Sequence, residues 1–221
     1  MEQDIFVTGI GYYLRGQAGC RYNAPVFSGS GAREIAKKLY SKGLVPAQPA
    51  NFGRFDRATL SAYLAAVLSV HDAGMVPGER KRHTGIIGSS AEGALEANRA
   101  FFGDYLSAGR KTARANLFVY TLPTTPLAEC ALALGLTGPL LFLQYEEELL
   151  GRLLEQAAMM IADARAQGML ALYCAADAAV CFYLCGEPAG ARLSLAGILS
   201  RLQGKENMTI REMISAAVDR A

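Results

Sequence analysis

Apolar and polar positions along the chain switch between a two-residue and a helical period. A short β-branched run at 5–8, closed by Gly9 and Gly11, reads as a buried strand feeding a loop. Residues 12–31 are rich in Gly, Tyr and Ser, show neither period and read as irregular. A short helix is predicted over 32–41, stopped by Gly43 and Pro46. Leu60, Leu64, Val67 and Leu68 then fall on one face of a helix over 57–73, with Asp56 as its N-cap and Gly74 as its stop.

A second buried strand is predicted at 84–88, and 91–106 mixes helix and loop. Thr124 or Thr125 can cap a helix with Pro126 in its first turn, running to Leu134 and closing at Gly135. Residues 140–143 form a third strand. The longest helix is predicted over 146–167, its apolar face including Leu150, Leu153, Leu154, Ala157, Ile161 and Ala164, with Gly168 as the stop. Strands follow at 169–174 and 179–185, antiparallel because the turn at Ala176 and Asp177 is too short for a crossover. Residues 190–206 give no clear pattern. Thr209 and Glu212 form a capping box for a last helix over 209–220. Strands alternating with helices imply an α/β fold: one domain over 1–221, with a layered, mixed, mostly parallel five-stranded sheet packed by helices and an antiparallel edge.

Composition agrees with a real core, at 52% hydrophobic and 19% charged residues. A net charge of +2, with Lys and Arg scattered, argues against a nucleic-acid surface, and the basic cluster Arg80, Lys81, Arg82 and His83 reads as a solvated turn. The start of the chain carries Glu2 and Asp4 where a targeting segment would be basic. The apolar run at 131–143 is broken by Gly135, Gly138 and Pro139 and is too short for a membrane span, so a cytoplasmic protein is expected. Five cysteines are an odd number; Cys174, Cys181 and Cys185 sit among apolar neighbours and read as small buried hydrophobes. No metal site and no cofactor are expected, since there is no C-x-x-C pair and neither histidine lies nearby.

The candidate motifs mostly fail on spacing. Gly9 and Gly11 could open a dinucleotide fingerprint, but the sixth position is Leu14. Gly88, Ser89 and Ser90 follow a strand as in a nucleophile elbow, but Glu92 stands where that motif needs Gly, so a tight strand-to-helix turn is the better reading. His71 and His83 are the chain's only histidines, and neither neighbourhood marks a general base. The junction at 136–148 is more informative. A buried strand runs straight into a long helix, where the helix dipole and open N–H groups would activate a cysteine. Here the chain offers Glu146, Glu147 and Glu148, carboxylates that suit a helix N-terminus.

Taken in order, these segments resemble the β-ketoacyl synthases of the thiolase superfamily. The run from Ile5 to Gly11 resembles their opening strand. Arg54, Phe55, Asp56 and Arg57, with the helix ending in His71, Asp72, Ala73 and Gly74, resemble their first long helix. The stretch at 84–98 resembles the next strand and loop, and 120–126 with 134–139 resembles the approach to the active-site strand. The resemblance covers roughly residues 4 to 186. It implies a thiolase-like half, and it places the family's nucleophilic cysteine eight residues after Pro139, at Glu147. One inserted residue moves that position to Glu148 and brings Gly151 to the family's glycine. Gln144 lies nearby, and several chain-length factors carry glutamine at the lost cysteine. Cys130 lies upstream and is not the counterpart. The family's catalytic histidines belong to its second half, which residues 190–221 do not resemble.

The resemblance therefore implies no catalytic residue and a non-catalytic, chain-length-factor-like subunit. Its expected partner is an active ketosynthase in fatty acid, polyketide or aryl-polyene-type biosynthesis, with acyl carrier protein as a further partner. The implied dimer surface includes a strand around Tyr120 and the active-site strand. Two alternatives stay open. One is a malonyl-carrier decarboxylase using Gln144 or a glutamate, which a fixed carboxylate would oppose. The other is a stand-alone homodimeric acyl- or carrier-binding module.

Overall fold

The structure is a computed structural model that describes residues 4–22, 26–45, 48–75, 83–90, 92–144, 149–186, 193–202 and 208–218. The first strand, β1 (Phe6–Leu14), is longer than its β-branched opening suggests. It turns back at Arg15 and Gly16, both at positive φ (42° and 85°), into β2 (Gln17–Cys20) and then β3 (Phe27–Ser28). Positive φ at both turn positions is the geometry of a tight hairpin. The segment expected to be irregular is therefore sheet: its glycines and tyrosines hide the two-residue period without preventing pairing.

Helix α1 (Ala32–Ser41) has the predicted bounds. Helix α2 (Arg57–Asp72) starts at Asp56, whose carboxylate accepts the Thr59 N–H at 2.8 Å. One buried face was the expectation for α2, yet 13 of its 16 residues are buried. Small residues such as Ser61, Ala65 and Ser69 let the helix lie against the sheet, and Gly9 and Gly11 complete the fit. A side-chain carbon at Gly9 would fall 2.1 Å from the Ser69 carbonyl oxygen, and one at Gly11 would fall 2.2 Å from that of Ala65. These glycines serve helix–sheet packing.

The chain continues through β4 (Thr84–Ser89), α3 (Leu95–Ser107), α4 (Ala115–Phe118), a 3-10 turn (Val119–Thr121) and α5 (Thr125–Leu134). Pro126 is in the first turn of α5 and Gly135 closes it in the left-handed region at φ 58°. Neither threonine caps the helix: Thr124 makes no side-chain cap bond, and the Thr125 hydroxyl donates to the Val119 carbonyl at 2.6 Å. After β5 (Leu140–Phe142) comes α6 (Leu149–Ala162). This helix stops earlier than its apolar pattern suggests. Ala164, placed on the apolar face by spacing, is exposed and takes φ 54° as the chain turns toward the sheet. Strands β6 (Gly168–Ala175) and β7 (Ala178–Cys185) form the expected antiparallel pair. Beyond them lie β8 (Leu193–Ser194), α7 (Leu195–Leu202) and α8 (Ile210–Val218), the last preceded by the reciprocal Thr209–Glu212 capping bonds.

Among the described residues the sheet has eight strands, in the order β3-β2-β1-β7-β6-β4-β5, with β8 paired to β1. The α/β class and the mixed, helix-packed sheet are as expected, but there are three more strands than the five predicted. β4 runs parallel to β5 and β6, whereas β7 is antiparallel to both β6 and β1. Thus β1, β4, β5 and β6 share one direction. The opposed strand β7 sits inside the sheet, not at its edge, so antiparallel pairings outnumber parallel ones. Every residue of β4 and β7 is buried, which matches the near-continuous apolar run of β7 and the small residues that flank Ile86 and Ile87 in β4. One apolar cluster joins α1, α2 and α5 to one face; a second joins α6, α7 and α8 to the other.

Candidate functional site

In open α/β sheets, sites form beyond the carboxyl ends of parallel strands. Here those ends belong to β1, β4, β5 and β6. Gly138 and Pro139 fix the start of β5 against β4. The Gly138 N–H donates to the Thr84 carbonyl at 2.9 Å and the Pro139 carbonyl accepts the Ile86 N–H at 2.8 Å. A side-chain carbon at Gly138 would fall 2.6 Å from the Gly85 nitrogen, so glycine is needed for this close approach. At the other end, the Leu143 N–H donates to the Gly88 carbonyl at 2.9 Å. Gln144 follows, exposed. Glu147 and Glu148, the two candidate counterparts of the family nucleophile, lie outside the described residues, as do Tyr145 and Glu146. Downstream, Gly151 faces Leu199 of α7 at 4.0 Å from an added side-chain carbon, so packing does not demand glycine there.

At the end of β4, the Ser90 hydroxyl donates to the Gly93 carbonyl at 3.3 Å, and Gly93 adopts φ 57°. This is the tight strand-to-helix turn expected from the sequence. The Ser89 hydroxyl is buried and finds no hydrogen-bond partner among the described residues. A small cavity of about 130 Å³ lies beside this turn, lined by Asp56, Ser90, Glu92, Glu96 and Cys174 among others. Arg57 binds Asp177 in the β6–β7 turn and Glu96 at 3.1 Å, tying α2, α3 and the sheet together at this end. Nothing in the sequence pattern singles out that three-way contact.

The cysteines are placed for packing. All five are buried and free of disulfides. Burial pushes the Cys174 thiol up to about 12, with a further push from Asp56. Desolvation raises Cys130 and Cys181 well above the ordinary thiol range. A thiol kept protonated in this way is a poor nucleophile. Among the described residues, no group of three or more His, Cys, Asp or Glu side chains could hold a metal ion.

Both histidines lie at the far end of the sheet. His83 precedes β4, its N–H donating to the Gln167 side chain at 3.1 Å. Gly9 meets Ser69 and Gly11 meets Ala65, so α2 runs against the direction of β1 and carries His71 to the same end. Six residues of β4 separate that end from the β5–α6 junction, about 20 Å at a strand's rise. The structure therefore brings neither histidine to Gln144.

The surface near β5 carries a group of exposed apolar side chains. β5 ends the sheet, with no strand on its other side among the described residues. Among the described residues, eight of the eleven exposed large hydrophobic side chains fall between Leu95 and Leu140. The elements that carry them pack in sequence: α3 on α4 and the 3-10 turn, that turn on α5, and α5 on β5. Helix α3 buries none of its residues. The segment around Tyr120, expected as a strand, is the 3-10 turn. Tyr120 itself is buried, its hydroxyl raised to about 12 by desolvation and by Glu129, while Val119 and Leu122 are exposed.

No protein-family model matches the sequence, and no curated protein matches it significantly. Solved structures do match. A β-ketoacyl synthase from Burkholderia phymatum STM815 superposes with a TM-score of 0.56 at 17% identity, over 82% of this chain and 59% of that one. The ishigamide ketosynthase/chain length factor matches with a TM-score of 0.56 at 16% identity, over 86% of this chain and 64% of that one. A type II PKS acyl-carrier protein in complex with its ketosynthase bound to the hexaketide gives 0.57 at 12% identity, over 86% and 59%. The chain has the thiolase-like fold of the ketosynthases. It spans less than two thirds of the length of each of these structures.

Proposed function

We propose that this chain is a non-catalytic ketosynthase-like subunit. It pairs with an active β-ketoacyl synthase and limits or shapes the acyl chain made in fatty acid, polyketide or aryl-polyene-type biosynthesis. The observation that carries the reading is the β5–α6 junction. Condensation by this fold needs a nucleophile to hold the acyl group. The chain has no cysteine between Cys130 and Cys174, and residues 143–149 read Leu, Gln, Tyr, Glu, Glu, Glu, Leu. The thiols nearest in sequence are buried and held protonated.

The open edge of β5 and the apolar surface from α3 to β5 support the pairing. An uncovered edge offers unpaired N–H and C=O groups, and clustered exposed apolar side chains favour a partner over water. The partner is a ketosynthase subunit, and a carrier protein would meet the pair, by analogy with the ketosynthase/chain length factor and the acyl-carrier protein–ketosynthase complex among the structural neighbours. Among the described residues no single helix is long and apolar enough to cross a membrane.

The test is a product analysis. An active ketosynthase and its carrier protein are assayed with and without this chain. The reading expects the product length distribution to change on adding it, and no condensation by the chain alone. An unchanged distribution would sink the reading.

A further inference from the structure

The hairpin turn between β1 and β2 carries an arginine where the backbone disfavours one. Arg15 holds φ 42°, in the left-handed region, and Gly16 follows at 85°. Turns with two positive φ angles favour Asn, Asp or Gly at the first position, because a longer side chain crowds the backbone there. The Arg15 N–H donates to the Asp177 carbonyl at 2.9 Å, so this turn and the β6–β7 turn lie side by side. A cleft of about 460 Å³ opens between them and the first turns of α1 and α2. Tyr13, Arg15, Arg33, Arg57, Leu60 and Asp177 are among its walls. That is the size of a small-molecule pocket. β1 stands four strands from β5, roughly 19 Å at the usual strand spacing, so the cleft is apart from the β5–α6 junction.

Ion pairing inside the cleft leaves positive charge over. Asp177 is taken by Arg57, and Glu34 by Lys38 at 2.6 Å. Among the described residues Arg33 has no carboxylate partner. Its guanidinium donates to the backbone carbonyls of Phe52 at 3.0 Å, Gly53 at 3.4 Å and Phe55 at 2.8 Å, and it lies 5.7 Å from the centre of the Phe52 ring. Neutral carbonyls hold the group in place without cancelling its charge, and a guanidinium has further N–H donors to offer. The Arg15 side chain makes no ion pair or hydrogen bond among the described residues.

We infer that this cleft binds a small phosphorylated molecule, a phosphomonoester of sugar or nucleotide size. Arg15 and Arg33 take the phosphate, and the organic part lies against the side that Tyr13, Ala32 and Leu60 line. Two guanidiniums without a carboxylate match a phosphate group near two negative charges, whereas a monocarboxylate would answer only one of them. A ligand contact also accounts for arginine at a turn position that suits asparagine, since locally unfavourable residues are kept where function uses them.

The full chain is titrated by calorimetry, at low ionic strength, with AMP, glucose 6-phosphate, inorganic phosphate and adenosine. Thermal unfolding is followed alongside. The variants are Arg15→Asn, Arg33→Gln and, as a control on the outer side of α1, Lys37→Gln. At least one of the two phosphomonoesters is expected to bind, with inorganic phosphate competing and adenosine silent. Arg15→Asn should weaken that binding about tenfold, the loss of one charged hydrogen bond, while the unfolding midpoint stays or rises because asparagine suits the turn. Arg33→Gln should weaken it as well, and Lys37→Gln should leave it unchanged. Three results would each overturn the site: no binding of either phosphomonoester at millimolar concentration, adenosine binding as tightly as AMP, or Lys37→Gln weakening binding as much as Arg15→Asn. Undiminished binding in Arg15→Asn with a lowered midpoint would show that Arg15 serves the turn alone, and would overturn it too.

Discussion

Gly11 lies so close to Ala65 that a methyl group on the glycine would sit 2.2 Å from the Ala65 carbonyl oxygen. The obstacle is backbone, which no rotamer change can move. Gly11→Ala must push α2 off β1, and overpacking of this kind costs roughly 1–3 kcal/mol, occasionally more. We expect a loss of about 3 kcal/mol in urea unfolding. A loss below about 0.5 kcal/mol, within the range of neutral surface changes, would show that α2 does not press on β1.

Asp72 is a buried carboxylate that holds two backbone amides, one in the middle of β1 and one just past β2. It accepts the Ile10 N–H at 2.9 Å and the Tyr22 N–H at 2.7 Å. Asp72→Ala leaves both donors without it, and a buried unsatisfied donor costs about 1–3 kcal/mol. The expected effect is a loss of about 2–4 kcal/mol in equilibrium unfolding, with faster hydrogen exchange at Ile10. Exchange at Ile10 equal to the unaltered protein would contradict the assignment.

Glu34 gives a pH dependence of known sign. Its hydrogen bond from Lys38 and those from Ser30 lower its carboxyl from 4.5 to about 2. A depressed carboxyl stabilises the fold above its unfolded value, and that contribution fades as pH falls through the folded value. The difference in unfolding midpoint between the unaltered chain and Glu34→Gln should therefore be constant above pH 5 and shrink between about pH 5 and pH 2. The side chain is exposed, so the difference should also shrink with salt. A gap that widens on acidification would refute the ion pair.

The thiols provide a direct check on catalysis. Five buried cysteines, with Cys130, Cys174 and Cys181 held protonated, should give no fast reaction with a thiol reagent at pH 8 in the native protein. All five should react once the chain is unfolded. One fast-reacting native thiol would reopen the case for a nucleophile.

Much of this fold was legible because its signals are local. Asp56 before α2, Gly135 after α5, and Thr209 with Glu212 before α8 are chemical stops and starts that a sequence displays. The turn at Ala176 and Asp177 announced β6 and β7 in the same way. The strands β2, β3 and β8 are hidden because they are short and are defined by their pairing, β2 and β8 on β1 and β3 on β2, and not by a local period. The place of β7 inside the sheet is likewise a property of pairing. At the site, the absence of a cysteine could be read directly. The exposed side chains of Leu122 and Leu140 could not, because a leucine looks the same in sequence whether it is buried or open. The contact of Arg57 with both Asp177 and Glu96 joins residues from three separate parts of the chain, and no spacing rule reaches it.

The central claim is association through the β5 edge with an active ketosynthase. The most direct measurement is the mass of the particle formed when this chain is co-expressed with a full-length β-ketoacyl synthase from the same source and passed over a sizing column with light scattering. The account predicts one stable complex containing both chains, lost in Leu140→Asp with the monomer fold intact. A chain that elutes alone at every concentration, or a complex that survives Leu140→Asp unchanged, would contradict it.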